Sequence, residues 1–249
     1  MNYLLEVCLA TALAIGIMPL IAQSNPDAVP TMQKGISVQM PVTSTALPMP
    51  EADKADATVV IITEDGSVNL GLHPTDADTV ADSIRNAMSN HPDKSVYIKA
   101  DARAPYSQIL AVLAALRTAG VEAPALLTSQ PHTTAPGILL PPEGLQILVD
   151  PRPSSSSPAI VQLLNSAQQR SVLKVNGEPV PRANLQNQLA QIFQNRRDRN
   201  NDSDRDNERE REKIVQIEAD GTFPFAAVVD LIDQCRSAGA KVVLTSPTL

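Results

Sequence analysis

The sequence lacks tryptophan and has few other aromatic residues, with three tyrosines and three phenylalanines among its 249 residues. Its cores must therefore be built from aliphatic side chains and alanine, which bury less area per residue than aromatic rings do. Only two cysteines are present, Cys8 in an apolar segment and Cys235 in a predicted helix, which excludes a framework of disulfides. The formal net charge of -7 argues against general binding to nucleic-acid phosphates, because such binding needs clustered Lys and Arg.

Signatures of enzymes, metal sites and cofactor sites are also absent from the sequence. The three histidines, His73, His91 and His132, lie far apart in predicted loops, without the close spacing that zinc ligands require. The sequence contains neither a glycine-rich phosphate loop, nor a dinucleotide-binding fingerprint, nor a nucleophile elbow. We therefore expect a protein that is not an enzyme and that uses no cofactor or metal ion.

What the sequence does contain is an internal repeat. The stretch IKADARAPY at 98–106 is echoed by IEADGTFPF at 217–225. Four positions of the first copy recur 119 positions later in the second: Asp101, Pro105, Tyr106 and Gly120 correspond to Asp220, Pro224, Phe225 and Gly239. A constant offset over some twenty residues indicates duplication, here of a domain of about a hundred residues.

A charged insertion distinguishes the second copy from the first. Upstream of the repeated corner the offset is 105 instead of 119, as in Val80 and Leu185, so the second copy carries 14 additional residues. They fall in the charge-rich stretch 195–213, whose seven basic and seven acidic residues cancel in formal charge. Such a mixture predicts a solvated loop or an extension of the preceding helix, and supports neither a metal site nor an RNA-binding patch.

Hydrophobic periodicity predicts the same order of elements in both copies. The first copy has four predicted strands: one at 57–63, a short one that ends at Leu70, one at 95–100 and one at 125–128. Its helices are predicted at 76–89 and from Pro105 to Gly120. The second has strands at 159–164, 171–175, 213–218 and 241–245, with helices at 182–194 and 224–238. Each copy is therefore predicted to be a two-layer ββαβαβ domain with both helices on one face of a mixed sheet.

The repeated corner has a structural and a functional interpretation. Asp101 ends a strand four residues before a helical proline, where its carboxylate can bond free amides of the turn or of the helix start. Tyr106 and Phe225 suit packing in the core or at a hinge, although a role in binding a ligand stays open. Arg117 and Arg236, in the last turn of their helices, suit the negative helix end.

The N-terminus carries an apolar run from Val7 to Ala22, interrupted upstream by Glu6. With residues 3–5 it approaches the length needed to cross a bilayer, which predicts a retained anchor over 1–23. The alternative is a cleaved signal peptide, although the segment lacks the basic residues that usually open one. Residues 24–56, rich in Pro, Ser and Thr, are predicted to form an extended tether, and Pro and Ser also mark a linker over 130–157.

Several motifs resemble the ExbD/TolR family along nearly the whole chain. The stretch VYIKADARAPYSQILAVLAALRTAG, followed by LLTS, is similar to the family's periplasmic domain, and VNGEPVPRANLQNQLAQIF resembles its turn into the first helix. The segment LLEVCLATALAIGIMPLIAQ is similar to its single transmembrane helix, and GISVQMPVTST to the residues that follow that helix. The resemblance implies an α+β chain with an N-terminal transmembrane helix and two tandem ββαβαβ domains, 57–129 and 158–249.

This resemblance also implies a function and partners. Family members work with a polytopic ExbB/TolQ-type membrane protein, and an Asp in their anchor takes up and releases protons. Glu6 falls at the place of that Asp, so it is either the proton-coupling residue or a marker of the membrane boundary. We expect a single-pass inner-membrane subunit with its domains in the periplasm, in a proton-driven complex for biopolymer transport or envelope maintenance. Further partners would be a TonB/TolA-like protein, peptidoglycan or a second copy of the chain; the alternative is a periplasmic binding module without proton coupling.

Overall fold

A computed structural model describes residues 36–89, 95–129, 141–149, 158–165, 171–199 and 213–245, and this part of the chain contains two β-sheets and four α-helices. The strands are β1 (Leu47–Pro48), β2 (Thr58–Ile62), β3 (Val68–Leu70), β4 (His73–Thr75), β5 (Val96–Ala100), β6 (Ala125–Thr128), β7 (Glu143–Gln146), β8 (Leu148–Val149), β9 (Ala159–Asn165), β10 (Ser171–Val175), β11 (Glu178–Pro179), β12 (Ile214–Ala219) and β13 (Lys241–Leu244). The helices are α1 (Ala77–Ser89), α2 (Tyr106–Thr118), α3 (Leu185–Arg199) and α4 (Phe225–Ser237).

The two sequence repeats, called here the first half (57–129) and the second half (158–249), share one strand order. In the first half β6, β5, β2 and β3 lie side by side, and in the second half β13, β12, β9 and β10 do the same. In each, the first two strands form an antiparallel pair, and the remaining neighbours are parallel. Equal strand order and equal direction are what duplication predicts.

Alternation along the strands places one apolar row of each sheet against the helices. Val60, Ile62 and Ile98 belong to the same buried cluster as Ile84 of α1 and Leu113 of α2. That cluster continues without a break into the second half, where it includes strand residues Val161 and Ile217 and helix residues Leu189, Val229 and Ile232. A single continuous aliphatic core therefore serves both halves, and α2 contacts α4 across it.

Both long helices that follow the repeated corner end in the same way. Gly120 and Gly239 have positive φ values of 86° and 82°, a left-handed conformation that side chains other than glycine adopt at a cost. In each case the glycine N–H and the next N–H bond back to carbonyls of the last helical turn, at Arg117 and Leu116 in α2. The repeated glycines are thus helix terminators, which explains their spacing from the corner.

The predicted elements are observed, with three differences at their edges. The short strands β4 and β11 follow β3 and β10 after tight turns and have no period of their own in the sequence. A turn of 3-10 helix over Arg182–Asn184 precedes α3, which continues to Arg199, five residues into the predicted insertion. Helices α2 and α4 begin one residue after their prolines, which are the N-cap residues.

Two segments with little periodicity make extensive contacts. Of the predicted tether, residues 36–56 are described: they include β1 and a 3-10 helix at Pro50–Asp53, and Met40, Met49 and Ala52 pack on the face of the first sheet opposite its helices. Of the predicted linker, residues 143–149 form β7, which pairs with β6 of the first half, and β8, which pairs with β13 of the second. The linker region therefore joins the two sheets.

Residues 1–35 lie outside the described part of the chain, and with them the apolar segment and Glu6. Within the described ranges, no helix has both the length and the apolar character needed to cross a bilayer.

Candidate functional site

The two repeated corners face each other at the junction between the halves. The first corner (residues 101–106) and the second corner (residues 220–225) meet in an antiparallel bridge between Pro105 and Pro224. Both prolines have the same extended conformation, with φ of -61° and -65° and ψ of 131° and 144°. The duplicated stretch is therefore a contact between the duplicates.

Four backbone hydrogen bonds hold the corners together, and they form two equivalent pairs. The amides of Tyr106 and Phe225 donate to the carbonyls of Phe223 and Ala104, each over 2.9 Å. The next amides, of Ser107 and Ala226, donate to Gly221 and Ala102 over 2.9 and 2.8 Å. The first amides of a helix have no partner inside it, so each half supplies the carbonyls that the other half's helix needs.

Asp101 is buried behind the first corner and is fully ionised at neutral pH. Its carboxylate accepts hydrogen bonds from the backbone and guanidinium of Arg103, at 2.9 to 3.1 Å, and from the backbone N–H of Gln39 at 2.9 Å. Arg103 also pairs with Glu64 at 2.8 Å. The bonds from Arg103 lower the pKa of Asp101 to about 2, although burial acts in the opposite direction. Asp101 thus bonds turn amides, whereas the helix start is bonded by the other half.

Asp220, the counterpart of Asp101, is less enclosed. Its Oδ1 accepts hydrogen bonds from the backbone N–H and the hydroxyl of Thr222, at 2.9 and 2.8 Å. The backbone bond is the largest cause of the lowered pKa of Asp220. Thr222 stands where the first corner has Arg103, so the second corner holds an acid without the adjacent cation.

Tyr106 and Phe225 are core residues at the junction, and both are completely buried. Their rings occupy equivalent positions, but the Tyr106 hydroxyl has no hydrogen-bond partner within the described residues. Burial raises the pKa of this phenol far above its usual value, so it stays neutral. The Tyr106 ring is therefore not exposed for binding a ligand.

Residues 36–49, called here the N-terminal segment, run along the first corner and the end of the first sheet. The Gln39 carbonyl accepts a hydrogen bond from Ala102 N–H at 2.7 Å, while its own N–H donates to Asp101. Farther along, Pro41 and Thr43 exchange backbone bonds with Ser129, and the hydroxyls of Thr43 and Thr128 bond at 2.9 Å in a buried position. The segment is fixed to the end of the first sheet.

The same segment also binds the second half through Asp233 of α4. Ser44 donates its N–H and hydroxyl to one carboxylate oxygen, at 2.9 and 2.8 Å, and Thr45 donates the same two groups to the other, at 2.9 and 2.5 Å. Burial opposes the charge on Asp233, but these four bonds outweigh it, and the pKa lies below its usual value. The N-terminal segment therefore bridges both halves.

Sequence reasoning did not identify Gln39, Ser44, Thr45 or Asp233. One signal was available: Asp233 stands 119 positions after Ala114, so an acid replaces an alanine within an otherwise similar helix. At this position the difference coincides with a contact that one copy has and the other lacks. Likewise, Arg236 donates to the carbonyl of Gln146 in β7, at 3.2 Å, instead of only facing its own helix end.

Comparison with protein families gives a match to each half. The family model described as biopolymer transport protein ExbD/TolR matches residues 28–131 and, separately, residues 133–247. The chain belongs to the ExbD/TolR family. Two successive matches agree with a duplicated ExbD/TolR domain. No curated protein matches the chain significantly.

Membership of the ExbD/TolR family implies an accessory role in biopolymer transport. Members are non-enzymatic, typically membrane-anchored proteins that generally work with ExbB/TolQ-type membrane proteins. In the part of the chain that the structure describes, no group of three or more His, Cys, Asp or Glu side chains is arranged to hold a metal ion. The arrangement at the junction thus consists of contacts between backbone strands, helix starts and carboxylates.

Proposed function

We propose that this chain is the membrane-anchored accessory subunit of a proton-driven complex of the ExbB/ExbD or TolQ/TolR type. In this proposal residues 1–23 span the inner membrane once, and both halves lie in the periplasm. The complex energises transport of biopolymers or maintains the envelope, with an ExbB/TolQ-like protein around the anchor. The observation that carries the proposal is the family match in each half, supported by corners that pair with each other inside one chain.

Proton coupling is assigned to Glu6, which corresponds by resemblance to the titrating Asp of the family's anchor. A carboxyl inside a membrane segment is costly, and such groups commonly mark proton pathways. Glu6→Gln preserves the size of the side chain and removes the titrating proton, whereas Glu6→Asp preserves the acid and shortens it by one methylene.

The test is a growth or uptake assay in cells that carry each variant at matched membrane levels, with recovery of the ExbB/TolQ-like protein as the control for assembly. We expect Glu6→Gln to abolish activity while the partner is still recovered, and Glu6→Asp to retain activity. Full activity of Glu6→Gln would disprove proton coupling through this residue. A chain that recovers no such partner and is active regardless would instead be a periplasmic binding module.

A further inference from the structure

A cavity of about 340 Å³ lies on the face of the first sheet opposite its helices. Its floor consists of Val59, Lys99 and Leu127, which come from the adjacent strands β2, β5 and β6. Most of the remaining lining comes from residues 52–55, at the end of the 3-10 helix, and from the turn between β3 and β4. Cavities of this size that combine apolar walls with a few polar groups are the usual sites of small ligands.

Lys99 is the cation at the floor of this cavity. It is half-buried within β5, and its neighbour on β2 is Ile61. Within the described residues its ammonium group makes no hydrogen bond or ion pair, although the charge of the exposed Asp53, which also lines the cavity, acts on it. Burial outweighs that charge and lowers the pKa of Lys99. A half-buried charge without a direct partner is costly, and an anion in the cavity would compensate it.

The second half satisfies the charge at the equivalent position. Lys99 corresponds to Glu218, 119 positions later, and the residue that faces it on the neighbouring strand is Gln162 instead of Ile61. The amide groups of Gln162 and Gln216 donate to the two carboxylate oxygens of Glu218, at 2.9 and 3.1 Å. The first half thus has an apolar neighbour where the second has a hydrogen-bonding one, so the charge of Lys99 stays available to a ligand.

We propose that this cavity is a binding site for a small organic carboxylate with a short apolar body. The carboxylate pairs with the Lys99 ammonium, and the hydrocarbon part contacts the aliphatic side chains of the floor. The site favours a monoanion, because Lys54, the other lysine in the lining, is already paired with Glu51. A phosphate group is normally bound by several cations or amides together, and the nearby Asp53 disfavours its second negative charge.

The test is a fluorine NMR titration of 4-fluorobenzoate with the full-length chain, with the neutral 4-fluorobenzamide as the matched probe. We expect 4-fluorobenzoate to bind saturably and the amide to bind at least about tenfold more weakly, because a charge-assisted hydrogen bond is lost. Lys99→Met should weaken binding of 4-fluorobenzoate by a similar factor, whereas Lys99→Arg should retain it. The matched control is Lys174→Met, which removes another half-buried strand lysine, on the second sheet and outside the cavity.

A second variant tests the cavity with the charge of Lys99 intact. Ala57 is half-buried and lines the cavity, so Ala57→Phe should fill part of its volume and also weaken binding of 4-fluorobenzoate at least about tenfold. Lys99→Met replaces a half-buried charge with an apolar side chain, so we expect it to unfold thermally no earlier than the unaltered chain. It therefore carries the test if Ala57→Phe does not fold.

This proposal concerns the folded first half and does not rest on proton coupling at Glu6. It is overturned if 4-fluorobenzoate does not bind saturably, which is also the result expected if another part of the chain fills the cavity. It is equally overturned if the amide binds as tightly as the carboxylate, or if Lys99→Met leaves binding unchanged. Equal losses in Lys99→Met and Lys174→Met would show a general attraction of anions to lysines, again contrary to the proposal.

Discussion

At the residue scale, the two aspartates that occupy equivalent positions in the duplicated halves have different surroundings. Asp101 is buried under the N-terminal segment and carries a guanidinium partner, whereas Asp220 is half-exposed and bonded by a threonine. Both accept the amide two residues ahead, which is the structural role that the sequence predicts for such a residue. One further partner of Asp101, the backbone N–H of Gln39, lies 62 positions away in the sequence, and no local pattern predicts it.

The charge of Asp101 should make stability depend on pH. The pKa of Asp101 is about 2 in the folded state, which lies below its value in the unfolded chain. The ionised carboxylate therefore contributes about 2 kcal/mol to the free energy of unfolding near neutral pH, and this contribution falls as the pH decreases from about 4 to 2. Asp101→Asn should lower the free energy of unfolding by about that amount at pH 7, and by much less at pH 2.5. Urea unfolding at both pH values measures this, with Asp82→Asn as control, because the exposed Asp82 pairs with Arg85 on the surface of α1. If Asp101→Asn lowered the free energy of unfolding equally at pH 7 and pH 2.5, the lowered pKa of Asp101 would be contradicted.

The buried hydroxyl of Tyr106 should be dispensable. Phe225 fills the equivalent site without a hydroxyl, and removing an unpaired buried polar group relieves a desolvation cost of about 1–3 kcal/mol. We therefore expect Tyr106→Phe to raise the midpoint of thermal unfolding, and Phe225→Tyr to lower it. If Tyr106→Phe were destabilising, the hydroxyl would have a hydrogen-bond partner beyond the described residues.

At the element scale, hydrophobic periodicity was sufficient for the strands and helices with a buried face. The apolar run that contains Val60 and Ile62 predicted a strand, and the helical spacing of Val80 and Ile84 predicted the buried face of α1; all four residues lie in the core. Periodicity could not predict how residues 36–56 and 143–149 are bound. Their contacts depend on isolated hydroxyls and on pairing with strands that are remote in sequence, and neither leaves a repeating pattern.

The attachment of the N-terminal segment to α4 can be tested at Asp233. Asp233→Ala removes the acceptor of four hydrogen bonds, so hydrogen exchange at the amides of Ser44 and Thr45 should accelerate at least about tenfold. The control is Asp230→Ala, one turn away on the same helix, whose carboxylate pairs with Arg182 instead. The attachment of the N-terminal segment to Asp233 would be contradicted if hydrogen exchange at residues 44–45 were unchanged in Asp233→Ala and faster in Asp230→Ala.

At the scale of the whole molecule, residues 33–249 form one compact unit in spite of the duplication. The sequence predicted the repeat, the shared strand order and the family, because these depend on local patterns and on a constant offset. The reciprocal bonding of the corners was not predictable from either half alone. Helix-start amides indicate that a carbonyl is needed, but only the assembled fold shows that the other half provides it.

Three of the four strands at the edges of the two sheets have one feature in common. Strands β1, β4 and β11 are each two or three residues long, and each contains a proline: Pro48, Pro74 and Pro179. Since proline offers no N–H and short strands offer few bonds, these edges are poor templates for adding another strand. Copies of this chain that meet at these three edges therefore have few backbone groups with which to pair, which disfavours aggregation through them.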